Sequence, residues 1–323
     1  MRRLVSVLAL CAVFQHSFTA LNAATITLKR GDVDATYYPG GYDGASDNTI
    51  FYYAAPTTHA AYPAIWMRSS DGATVETRAI NGSTNTRALW RFDLSGMSGK
   101  NIDVTGDAVL TLTSSAAASA VMYHLYQIAP ANAGWQESTN AIGLNPTTAA
   151  VRANDGDPTW WYKAIDTDAN SDTTLPSEDT TSVLWASGQA AIGGIGSNAE
   201  GYANTGGLWN PIDLIDQDPS TIASDYLTMG NMDPVASSEL PANGTTTSFI
   251  IPEAMIQSWI DDPASNAGLL GRAAASAFLE FSSSEANTVS RRPTLSFDFQ
   301  VVPEPTAWLL AGLAAFALGT RRR

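Results

Sequence analysis

Arg87-Ala88-Leu89-Trp90-Arg91-Phe92-Asp93-Leu94-Ser95 is the stretch whose reading decides the fold. Ala88, Trp90, Phe92 and Leu94 fall on one side of a period of two, while Arg87, Arg91 and Asp93 fall on the other. A chain whose side chains alternate between two faces makes such a pattern a half-buried strand with one wet face. The alternation returns in Asp107 to Thr113, where Ala108, Leu110 and Leu112 oppose Thr111 and Thr113. It returns again near the end, with Leu295, Phe297 and Phe299 set against Thr294, Ser296 and Asp298. Val121 to Ile128 is apolar on both faces and reads as a more central strand. Asn81-Gly82 and Asn243-Gly244 are turn signals; each also opens a glycosylation sequon, and both are read as turns.

One helix stands out from these strands. Pro252 suits its first position and Glu253 its first turn, and Met255, Ile256, Trp259 and Ile260 form an apolar stripe at helical spacing. Asp261-Asp262-Pro263 ends it, and the helix is expected to cap one end of a sandwich.

Composition agrees with a strand-rich secreted protein. Of 323 residues 45% are hydrophobic and only 15% charged, which excludes a disordered polyelectrolyte, a coiled coil and a polytopic membrane protein. The formal charge of -14 makes nucleic acid an unsuitable partner, because phosphate backbones select basic surfaces.

Both ends carry addresses. Met1-Arg2-Arg3, an apolar run from Leu4 to Phe14, and small residues at Ala20, Ala23 and Ala24 form a secretory signal, predicted to span residues 1–23. Cys11, the single cysteine, lies in the apolar run behind Leu10 rather than a small residue, so it is read as part of that run and not as a lipid anchor. At the other end Val302 leads into Pro303-Glu304-Pro305, an apolar stretch from Thr306 to Gly319, and Arg321-Arg322-Arg323. Fourteen mostly apolar residues are marginal for crossing ~30 Å of hydrocarbon, and the arginines would hold the tail on the cytoplasmic side. Removal of both ends lowers the formal charge from -14 to -18, since the leader holds two arginines and the tail three, with one glutamate. Such a surface keeps a secreted chain soluble and repels polyanions.

The arrangement of triplet, apolar stretch and basic end resembles a PEP-CTERM sorting signal over residues 302–323. The resemblance implies export from a Gram-negative bacterium, a transient stay in the inner membrane through the apolar helix, processing by an exosortase, and a final place at the cell surface or outside the cell. Residues 24–301 would be the body. Within them, Asp32 to Asp47 looks like an opening strand. Arg87 to Ser95, Gly134-Trp135-Gln136-Glu137-Ser138-Thr139, Ile256 to Leu269, Phe281 to Glu285 and Arg292 to Leu295 are similar to segments of DNRLRE domains, which overlap with carbohydrate-binding modules of family 96. That resemblance implies a jelly-roll-like antiparallel β-sandwich from secreted surface proteins. Here it carries one short capping helix and a long middle insertion at about residues 140–245.

The insertion is where a ligand site is expected, because long loops on rigid sheets carry function. Trp160, Trp161, Tyr162, Trp185 and Trp209 stand there among Gly, Asn, Asp and Ser, a mixture able to stack on sugar rings and bond their hydroxyls. The competing reading is a satellite core beneath the loops. Asp166, Asp168, Asn170 and Asp172 place oxygen ligands at every second position, as calcium loops do, against the alternative of a solvated acidic loop. Ser171 and Ser177 stand where an EF-hand wants Gly and Glu, so that particular loop is rejected.

Catalysis finds little footing. The chain beyond the leader keeps His59 and His124, and its sequence holds no nucleophile elbow, phosphate loop or dinucleotide fingerprint. The expectation is a non-enzymatic surface or biofilm-matrix protein binding polysaccharide, neutral rather than anionic. A structural or adhesive protein with protein partners is the alternative, and a glycan hydrolase the third.

Overall fold

A computed structural model describes residues 23–53, 67–69, 74–79, 84–117, 120–128, 130–137, 156–158, 162–164, 183–184, 234–240, 245–273 and 277–302. The strands are β1 (Ala24–Leu28), β2 (Ala45–Tyr53), β3 (Met67–Ser69), β4 (Thr74–Ala79), β5 (Thr84–Phe92), β6 (Ile102–Val104), β7 (Ala108–Ala117), β8 (Val121–Gln127), β9 (Tyr162–Ala164), β10 (Val183–Leu184), β11 (Ala236–Leu240) and β12 (Thr246–Ile251). Helix α1 (Glu253–Asp261) precedes β13 (Leu269–Ala273), β14 (Ala277–Ser282) and β15 (Thr294–Val301). All strand pairings among the described residues are antiparallel, and the fold is an all-β sandwich.

β7 joins the two layers. Its first half lies between β15 and β12, with Leu110 opposite both Leu295 and Phe249. Its second half leaves that layer and pairs with β14, through an irregular register at Glu280 and Phe281. Through β14 and β4 the second layer reaches β5, and from there β2 on one side and β13, β8 and β11 on the other. Such a change of partners along one strand bends the sheet back over its own core.

The core is aromatic where the layers meet. The Tyr123 ring of β8 sits 5.8 Å from Phe249 of β12 and 4.9 Å from Phe281 of β14, and Trp90 of β5 packs edge-on to Phe281 at 5.8 Å. Edge-to-face contacts of this kind add to the burial of large rings. Two glycines make room. A methyl at Gly271 would strike the Tyr123 hydroxyl, and one at Gly268, where φ is +82°, would strike the Trp90 carbonyl oxygen.

The expected strands at Ala88–Phe92, Ala108–Thr113 and Leu295–Phe299 are present with the expected residues buried. β8 is central in pairing, with β13 and β11 on its two sides. The wet face predicted for β5 is dry at one place. Leu89, Leu270 and Tyr126 lie in register across β5, β13 and β8 on the face opposite the main core, and all three are buried.

Two local readings need correction. The opening strand is not Asp32 to Asp47: the sandwich begins with β1, paired along β15, and residues 32–44 form turns held by bonds such as Tyr42 N–H to Asp32 O at 2.6 Å. Pro252 precedes the first helical residue instead of occupying it, and it has no side chain to cap α1. A remote group does that work, since Asp107 Oδ1 accepts the Glu253 N–H at 3.0 Å. The stripe of Met255, Ile256, Trp259 and Ile260 is buried as read, and Gln257 clips the helix to β6 by accepting from Val104 N–H and donating to Ile102 O.

Phe281→Ala removes the ring at the centre of this cluster and should cost about 3–5 kcal/mol. Ile250→Ala, on a side chain 55% exposed, should cost no more than about 0.5 kcal/mol. Denaturant unfolding of the two variants checks the pair, and equal losses would contradict the assigned core.

Candidate functional site

The end of β1 runs into Lys29-Arg30, and Arg30 gathers three carboxylates from three separate segments. Its Nε donates to Asp43 Oδ1 at 2.7 Å, and its Nη1 to Glu137 Oε2 at 3.3 Å, to Ser284 Oγ at 3.3 Å and to Glu285 Oε1. The carboxylates are tied to one another through backbone groups. The Asp47 N–H donates to Glu137 Oε1 at 3.2 Å, and the Ser284 N–H donates to Asp47 Oδ2 at 2.6 Å. Arg292 backs the assembly by donating to the Arg30 and Ala286 carbonyls, each at 2.9 Å.

Asp47, Glu137 and Glu285 bring one carboxylate oxygen each within 4.8 Å of the others, and Asp47 is 1% exposed. Oxygen-rich groups of this type suit a hard divalent cation. Here the Arg30 guanidinium stands among them and supplies the positive charge, so the arrangement acts as an ionic knot. The sequence places its candidate oxygen ligands at Asp166, Asp168, Asn170 and Asp172 in the middle segment; this triad instead draws on β2, the Trp135-Gln136-Glu137 segment and the turn after β14, which only the fold brings together.

Beside the knot is a cleft of about 470 Å³, lined by Gly44, Ser46, Arg91, Asp93, Gly134 and Asn266 among others. Each wall is anchored. Ser46 of β2 lies opposite Arg91 of β5, and the Asp93 N–H donates to the Gly44 carbonyl at 2.8 Å. Gly134 precedes Trp135, whose indole Nε1–H donates to Ala267 O at 2.8 Å, and the Asn266 amide donates to Phe92 O at 2.7 Å. Asp93 Oδ1 and Oδ2 accept from the backbone N–H and hydroxyl of Ser95, an Asp-x-Ser turn.

Arg91 is the charged centre of the cleft. Its Cζ lies 4.6 Å from the centre of the Trp135 ring, a cation–π stack on a buried indole. Burial lowers its pKa, against the opposing pull of Asp93, Glu137 and Tyr42. Beneath Gly44, burial holds the Tyr42 phenol well above its ordinary pKa, with Tyr38 and Asp93 adding to the rise. The Tyr38 phenol, raised first by burial and then by Asp93, donates to the Asp93 carbonyl at 2.9 Å.

Of the site residues expected from sequence, Tyr162 begins β9, which pairs with β10. Trp160, Trp161, Trp185 and Trp209 lie outside the described residues, as do Asp166, Asp168, Asn170 and Asp172 and the sorting residues Pro303, Glu304, Pro305, Arg321, Arg322 and Arg323. The turns at Asn81-Gly82 and Asn243-Gly244 also lie outside them. Among the described residues no helix is long and apolar enough to cross a membrane.

Comparison with known families finds a match at the C-terminus. The model of the PEP-CTERM protein-sorting motif covers residues 301–323. No curated protein matches the chain. The body is thus an antiparallel β-sandwich, and the C-terminus carries a motif that implies export across a Gram-negative envelope, processing by exosortase, and a surface or extracellular destination.

Arg30→Met leaves three carboxylates facing each other with their cation gone. After allowance for partial exposure, it should cost about 2 kcal/mol in denaturant unfolding, with Arg30→Lys recovering part of the loss. A stability equal to that of the native chain would show that the knot is not what holds these segments.

Proposed function

We propose that this chain is an exported, non-enzymatic β-sandwich protein that binds carbohydrate at the cell surface or in the extracellular matrix. The observation that carries the reading is the continuity between body and address: the sorting motif begins at Val301, the last residue of β15. The sandwich is then the part delivered to the outside, and residues 302–323 are the part an exosortase handles in the inner membrane. The similarity to DNRLRE domains and family 96 modules supports carbohydrate as the ligand, as does the concentration of Trp160, Trp161, Tyr162, Trp185 and Trp209 among hydroxyl-bonding residues in the middle segment. Calcium bound by Asp166, Asp168, Asn170 and Asp172 would stiffen that segment.

The acidic balance favours a neutral polysaccharide over an anionic one.

Expression in a Gram-negative host with an exosortase tests the sorting half. The native chain should reach the surface or medium in a shortened form, while Pro303→Ala/Glu304→Ala/Pro305→Ala should remain at full length in the membrane fraction. Identical mass and location for both would overturn the exosortase assignment. For the ligand half, Trp160→Ala/Trp161→Ala should abolish retention on glycan without lowering the melting temperature; unchanged retention would remove that pair from the site.

A further inference from the structure

The cleft beside Arg91 was not among the sites expected from sequence, and its polar groups are arranged for use. Among the described residues the Arg91 side chain makes no ion pair and no hydrogen bond; its guanidinium lies over Trp135. The contact holds the guanidinium over the indole while leaving its N–H donors unspent. Asp93 is exposed beside it, and each carboxylate oxygen that accepts from Ser95 keeps further acceptor capacity. Asn266 is 4% exposed, and once its amide N–H donates to Phe92 O, its Oδ1 has no hydrogen-bond partner among the described residues. A buried amide oxygen without a partner costs free energy that a ligand donor would recover. The Ser46 hydroxyl adds a group able to donate or accept.

We propose that this cleft is a subsite for an uncharged sugar residue, with the Arg91 fork donating to two neighbouring hydroxyls and Asp93 and Asn266 accepting from them. The proposal rests on the carbohydrate reading and gives it a place on the sandwich itself, distinct from the tryptophans of the middle segment. A hydroxyl is both donor and acceptor, so a pair of them answers a lining in which donors and acceptors face each other. The volume falls in the range of small-ligand clefts, about 300–1,000 Å³.

Charge decides between sugar classes. The positive charge of Arg91 is already opposed through space by Asp93 and Glu137, and the body as a whole is strongly acidic. A uronate carboxylate would meet those carboxylates as well as the arginine, whereas a neutral ring meets no like charge.

Affinity electrophoresis of the full chain in gels containing soluble β-glucan, galactomannan or arabinoxylan, with alginate as the acidic comparison, tests the assignment. Two variants accompany the native chain. Arg91→Lys keeps the charge but loses the planar fork, and Ala264→Trp, at an exposed position on the rim, fills the cleft while leaving Arg91 itself unsubstituted. The expected result is retention of the native chain by a neutral polymer, weakened about tenfold or more in both variants at unchanged melting temperature. Should Arg91→Lys fold poorly, Ala264→Trp alone decides. Retention that both variants leave unchanged overturns the subsite and leaves the carbohydrate reading standing. Absence of retention on all three neutral polymers overturns both together. Stronger retention on alginate overturns the choice of an uncharged ligand.

Discussion

Arg30 is the hinge pin of this sandwich. One guanidinium, placed just after β1, is bonded to Asp43, Glu137, Ser284 and Glu285, and so fastens the first strand to three segments up to 255 positions away in sequence. With a single cysteine the chain can form no internal disulfide, so an exported body needs another means of tying its loops. A partly buried charge network is a costly one, because carboxylates removed from water must be paired almost completely. Here the pairing is supplied by arginine, by the Asp47 and Ser284 amides and by neighbouring hydroxyls. The consequence reaches the cleft: the turn that carries Glu137 into the knot also carries Gly134 into the cleft wall and Trp135 beneath Arg91. The Arg91 cleft is therefore joined to the ionic contacts at Arg30 by only a few residues of chain.

The layers were legible in the sequence wherever burial followed a period of two over several residues. β5, β7 and β15 show the pattern because one face of each packs on the aromatic core, and α1 shows its stripe because four of its nine residues are buried. Leu89 was an available signal that β5 is covered on its second face, an apolar residue between Arg87 and Arg91 on the side otherwise read as wet. β1 was not legible. Ala24-Thr25-Ile26-Thr27-Leu28 is short, follows the predicted leader directly, and gains its meaning only from β15, more than 260 residues later. The 32–47 stretch misled for the opposite reason, since Asp and Tyr in sequence resemble a strand where Asp34 in fact accepts from the N–H groups of Thr36 and Tyr37 in a turn.

The cleft was harder still to foresee. Its lining comes from residues 44–46, 91–93, 133–134 and 263–266, and no single window of sequence contains two of these. Arg91 and Asp93 were visible as the polar side of a strand, but the indole under Arg91 and the orphaned amide oxygen of Asn266 are products of packing. The exported destination, by contrast, was fully local: a triplet, an apolar stretch and three arginines in a row. Addresses are read by other proteins as linear signals, whereas binding sites are assembled by folding, and the sequence exposes the two accordingly.

Hydrogen exchange at two amides tests the central claim most directly. The Asp47 and Ser284 N–H groups donate into the knot, so they should be strongly protected in the native chain. In Arg30→Met both should exchange about tenfold faster or more, while amides in the β7–β15 ladder keep their protection. Undiminished protection at Asp47 and Ser284 in that variant would contradict the account, because the segments would then be held together without the arginine.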